Sequence, residues 1–215
     1  MLPILIVSLT SLGGCGGGTN PYRSGGFSTS DYMPLDGDRS WRYSQDDEAV
    51  DWQMVVEKVP QTTTVDITEI VTLEYSEYAN GSAGDLLYSI QWSSDSSDGV
   101  LIWGYTDEVS GESVSYDPPV TFGRRQMVTG DSYTTTTGGR DFTTTFEVVE
   151  SCPNNWRSDW DCLKFVLDDG DGDDDAGPPF AGTWWMASSY GASRFIPTGY
   201  TDAWVLASAT FEGGE

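Results

Sequence analysis

The sequence predicts an all-β domain, and three observations carry that expectation. From Asp31 onward the apolar residues recur with a period of two, the spacing that puts alternate side chains on opposite faces of a strand. No window of helical length shows an i, i+3, i+4, i+7 stripe. Gly, Pro, Asn and Asp break the apolar runs at short intervals, as turns require. About ten strands of ordinary length fit the chain. To bury their apolar faces they must form an antiparallel β-sandwich or a strongly curved, barrel-like sheet, and periodicity does not choose between the two.

The chain opens with Met1 to Cys15, a short apolar run ending in Gly13-Gly14-Cys15. It is too short for a bilayer core, which needs roughly 20 apolar residues, so it reads as an export signal over 1–14 closed by a lipidation site at Cys15. Residues 15–30 are rich in Gly, Ser and Thr and carry no apolar period. They are expected to act as a flexible tether with a reach of roughly 20 to 25 Å. A single folded domain is then expected over 31–215.

Within the domain, Val65, Ile67, Val71, Leu73 and Tyr75 share one parity while Thr64, Asp66, Thr68, Thr72 and Glu74 take the other, so one strand with one wet face is expected there. Asn80-Gly81-Ser82 formally matches a glycosylation acceptor but reads as a turn. Leu86, Tyr88, Ile90 and Trp92 form the next strand, and Val100 to Tyr105 its hairpin partner after a turn from Asp95 to Gly99. Phe142, Phe146 and Val148 share a face, as do Leu163, Phe165 and Leu167. Trp184 to Ala187, Ser193 to Ile196 and Trp204 to Phe211 supply the last strands, separated by Gly191 and by Pro197-Thr198-Gly199. Trp184 and Trp185 point to opposite faces, so at most one ring is exposed and both read as packing.

With Cys15 set aside for acylation, Cys152 and Cys162 remain as an even pair in an exported chain, which predicts a disulfide stapling neighbouring strand ends. Closing a loop of this length stabilises the fold by about 2 to 3 kcal/mol in the chain-entropy account.

Composition removes several functions. The 34 acidic and 10 basic residues give a formal net charge of −24, which repels phosphate backbones, so no nucleic-acid partner is expected. The chain contains 0 histidines, which removes Ser-His-Asp and Cys-His catalysis and imidazole metal sites. A carboxylate pair of the glycosidase kind is the remaining route to hydrolysis, and sequence does not show two carboxyls facing each other. The expectation is a protein that is not an enzyme.

Two constellations still bear on binding. Asp169, Asp171 and Asp173, followed by Asp175, have the alternating spacing of oxygen-ligand calcium loops. The EF-hand pattern fails, because Asp174 stands where the turn glycine belongs and Phe180 where the bidentate glutamate belongs. A solvated hairpin tip is the plainer reading, with weak calcium binding as its rival and no other cofactor expected. Inside the cysteine loop, Trp156 and Trp160 stand beside Asn155 and Asp161. Exposed rings next to amides and carboxylates make a carbohydrate platform, and the competing reading is a tryptophan plug for the end of a small β domain.

Leu12-Gly13-Gly14-Cys15 resembles the lipobox of bacterial lipoproteins, in which the cysteine becomes the acylated first mature residue. The segment Tyr32-x-Pro34-Leu35, with Gly37 and Trp41-x-Tyr43, resembles the opening of the folded part in a loose group of such proteins. The likeness extends to Tyr116-Asp117-Pro118-Pro119, Gly130 to Tyr133, and Thr183 to Ala187 followed by Tyr190-Gly191. The resemblance implies an exported all-β domain, lipid-anchored to a bacterial envelope at the outer membrane, and carries no catalytic residues. Its partners would be the membrane, through the anchor, and a glycan or envelope protein. Were the barrel open with an apolar lumen, a carrier of hydrophobic molecules would be a further reading.

Overall fold

The computed structural model describes residues 27–45, 53–153, 161–171 and 177–212, with Phe211 and Glu212 described by backbone alone. Twelve strands follow one another: β1 (Asp38–Gln45), β2 (Gln53–Val65), β3 (Thr68–Ala79), β4 (Ser82–Asp95), β5 (Gly99–Asp107), β6 (Glu112–Gly123), β7 (Ser132–Thr137), β8 (Arg140–Ser151), β9 (Asp161–Asp168), β10 (Gly182–Ala187), β11 (Gly191–Pro197) and β12 (Trp204–Glu212). They form one antiparallel sheet in the order β6-β5-β4-β3-β2-β1-β12-β11-β10-β9-β8-β7. Pairing of β1 with β12 joins the two ends of the chain, and β6 comes beside β7, so the sheet curls into a nearly closed barrel. Closure of this kind leaves little edge exposed.

Two seams interrupt the ladder. Between β6 and β7 side chains do the joining: Thr121 donates its N–H to Thr135 Oγ1 of β7 at 3.2 Å, and from β8 the Thr144 hydroxyl donates to the Thr121 carbonyl at 2.9 Å. Tyr133 adds a third bond, from its hydroxyl to the Phe122 carbonyl at 2.8 Å. Between β11 and β12 only Arg194↔Val205 and Phe195↔Trp204 pair. There β1 reaches across: Trp41 Nε1 donates to the Tyr190 carbonyl at 2.6 Å and the Tyr43 hydroxyl to the Ala192 carbonyl at 2.9 Å.

The interior is aromatic. Trp92 and Phe122 from one wall meet Trp184 and Phe165 from the other, with ring centroids 5.4 to 6.3 Å apart and mostly edge-to-face. Trp184 stacks on Phe195 at 4.7 Å. On the outer face, Trp185 is buried too, with Lys164 and Arg194 over its ring at 5.5 and 5.3 Å and its Nε1 donating to Glu150 at 2.5 Å. Both tryptophans therefore pack, one on each face of β10.

Because the strands alternate in direction, the β2–β3, β4–β5, β6–β7, β8–β9 and β10–β11 connections gather at one end of the barrel. That end is plugged by residues 27–35. Phe27 packs edge-on against Phe146 at 4.5 Å, Thr29 donates to the Arg124 carbonyl at 2.9 Å, and Lys58 holds the Leu35 carbonyl at 2.7 Å.

Three expectations need correction. The folded body begins before Asp31: Phe27 and Thr29 are buried, so the tether does not run to residue 30. The run from Thr64 to Tyr75 is not one strand but the end of β2 and the start of β3, with Val65 and Ile67 exposed at 40% and 97%. Asp66 turns the chain at φ 54°, a left-handed conformation that Asp tolerates better than most residues. Twelve strands rather than about ten result, since β2, β6 and β7 carry too few large apolar residues to stand out. Asn80 and Gly81, at φ 54° and 85°, make the tight β3–β4 turn expected of them.

Candidate functional site

The end opposite the plug is open. It holds a cavity of about 500 Å³ between the tips of β1, β2, β4, β5, β6, β8, β11 and β12 and the β9–β10 loop. Barrel mouths of this volume are ordinary places for a small-molecule site. Two other hollows, of about 550 and 530 Å³, lie at the plugged end, and no aromatic ring lines either.

Phe180 closes the mouth from within. Its ring lies 5.8 to 5.9 Å from Tyr105, Tyr116 and Phe142. The Phe180 carbonyl accepts from Trp184 Nε1 at 2.9 Å, and the Ala181 N–H bonds Pro178 at 2.8 Å, which fixes this part of the loop. Gly177 lies so close to the loop that a Cβ there would come within 2.4 Å of Asp169 Oδ2.

Four aromatic side chains line the space above: Tyr88, Tyr105, Tyr200 and Trp204. Tyr88 stacks on Tyr75 at 4.5 Å, its hydroxyl 3.8 Å from Met54 Sδ, and burial drives its hydroxyl well above the usual tyrosine range. Tyr105 bonds Glu112, and burial together with that carboxylate pushes its hydroxyl up to about 12. Tyr200, 59% exposed, stands at the rim.

The charged lining is lopsided. Among the described residues, Asp107, Glu112, Asp171 and Asp202 line the mouth with one cation, Arg140. Arg140 is already engaged, at 3.2 Å from the buried Asp169 and 3.1 Å from Asp171. Asp107 Oδ1 accepts the N–H groups of Ser110 and Val109 at 3.0 and 2.8 Å, and these bonds hold its carboxyl below the usual carboxylate range.

Of the residues singled out in the sequence, Asp171 lines the mouth and the other described ones fall elsewhere. Cys152 and Cys162 are bonded, S–S 2.11 Å, and join the end of β8 to β9 at the plugged end. They pack with Trp185 and Ala187 on the outer face. Asp161 is exposed at the start of β9, paired with Ser151, while Asn155, Trp156 and Trp160 lie outside the described residues. Cys15 lies outside them as well. Asp169 and Asp171 converge on Arg140 rather than on each other, and Asp173 and Asp175 are outside the described residues. Among the described residues no three His, Cys, Asp or Glu side chains converge as a metal site would need.

The mouth residues escaped the sequence reading because they come from six separate connections. Tyr88 did show its parity with Ile90 and Trp92, but which strand end meets which follows only from closure. Comparison with models of protein families, with curated proteins and with solved structures finds no match to this chain.

Proposed function

We propose that the protein is a non-enzymatic binding domain displayed on a bacterial envelope, anchored through a lipid on Cys15 and taking a small ligand at the open mouth of its barrel. The observation that carries this reading is the polarity of the fold. Phe27 enters the plugged end twelve positions after Cys15, and the cavity lies at the opposite end. A lipid on Cys15 would therefore lead into the plugged end through at most about 40 Å of chain, and the mouth is the end of the barrel away from that attachment. Binding without chemistry agrees with a chain of 0 histidines whose mouth carboxylates include one, Asp107, committed to a turn. The packed Trp92–Phe122–Trp184 layer favours a ligand seated at the mouth over one lying along the axis.

Metabolic labelling with a palmitate analogue tests the anchor. Wild type is expected to take up label and fractionate with membranes, and Cys15→Ser to lose both. A Cys15→Ser protein that keeps its label overturns the reading.

A further inference from the structure

The chemistry of the mouth is narrower than that of a general ligand site. Its walls combine aromatic side chains with carboxylates that, among the described residues, have no counter-charge. Arg140 is shared between Asp169 and Asp171. Among the described residues no Lys or Arg lies within ion-pair distance of Asp107, Glu112 or Asp202. These three carboxylates sit round the same space as Tyr88, Tyr105, Tyr200 and Trp204. A positive charge is drawn both to the negative face of a ring and to a carboxylate, and the pull grows where water is thinned out. An anion meets the opposite field, strengthened by a chain-wide net charge of −24. A neutral ligand of the same shape would cover the carboxylates and return nothing for their lost hydration.

We infer that the mouth takes a small organic cation, an ammonium or guanidinium head carried on an apolar or aromatic body. The head lies among Glu112, Asp107 and Asp202, and the body lies against Trp204, Tyr88 and the Pro178–Pro179 wall. About 500 Å³ is ample for such a molecule. The inference rests on the mouth being a ligand site and adds the class of ligand.

Three probes of nearly one shape separate the two claims: tryptamine, the neutral alcohol tryptophol and the anion indole-3-acetate. Each is titrated into the full chain at low salt, with backbone amide shifts read by NMR. Tryptamine is expected to shift amides of β4, β5 and the Pro197–Trp204 connection, and to bind at least about tenfold more tightly than tryptophol, with indole-3-acetate weakest. Glu112→Gln combined with Asp202→Asn, both at exposed positions, is expected to weaken tryptamine and bring it close to tryptophol, which binds no more weakly than to wild type. Trp204→Ala is expected to weaken both. If the three probes bind the mouth equally, the cation inference falls and the ligand site stands. If none shifts a mouth amide, both fall.

Discussion

Tyrosine is the residue whose placement has the plainest consequence in solution. Burial drives Tyr43, Tyr75, Tyr88, Tyr116 and Tyr133 above the usual tyrosine value of 10.0, and Tyr105 to about 12. A raised value means that the folded state keeps protons which the unfolded state has begun to release. The stability tied to these hydroxyls is therefore complete below about pH 10 and is lost as pH climbs through the folded values. Urea midpoints are expected to stay level up to about pH 9 and then fall with each further step. A midpoint that holds at pH 11 would mean that the hydroxyls reach water. Tight backbone approaches are the other residue-scale constraint. At Gly182, φ 135°, a Cβ would meet the Ile196 carbonyl oxygen at 2.1 Å, so only glycine lets β10 start beside the end of β11.

At the scale of elements, the barrel is held by ladders everywhere except at its two seams, where side chains replace backbone bonds. Thr144 is the sharpest test of that substitution. Fully buried, it gives its hydroxyl to the Thr121 carbonyl on the far side of the β6–β7 gap. Thr144→Val keeps the shape and removes the donor, leaving a buried carbonyl unpaired at a cost of about 1 to 3 kcal/mol. Amide exchange is expected to quicken along β6 and β7 and to stay unchanged in β3 and β4, which have a strand paired on each side. Uniform acceleration would instead mean that the seam opens only with global unfolding. Several of these elements could be read from spacing alone. The strands with large inward residues, such as Leu163, Phe165 and Leu167, stood out, as did the Asn80-Gly81 turn. The β2–β3 hairpin did not, because Val65 and Ile67 continue the apolar parity straight through the turn and Asp66 alone, with no glycine beside it, marks the reversal.

The whole molecule carries a net charge of −24, and most of its cations are already engaged with a neighbour. Arg39, Arg140 and Lys164 make ion pairs at 2.7 to 3.2 Å, and Arg42 and Arg124 lie over tyrosine rings. Self-repulsion in the folded state is therefore large and mostly uncompensated. Raising NaCl from about 0.01 M to about 0.5 M shortens the screening length several-fold and is expected to raise the melting temperature. A melting temperature that falls with salt would show that the ion pairs outweigh the repulsion.

The sequence by itself determined the all-β class, the pairing of Cys152 with Cys162 once Cys15 is set aside, and the absence of imidazole chemistry, because each follows from residue identity and short-range spacing. The pairing of β1 with β12, the plug formed by Phe27 to Leu35 and the site at the open mouth were decided only by the tertiary structure. Closing a twelve-stranded meander brings together residues as far apart as Gln45 and Trp204, and no local period encodes which strand ends share a rim. Where Arg140 is engaged is decided there too, since it meets Asp169 and Asp171 across a contact between strand tip and loop that linear spacing does not reveal.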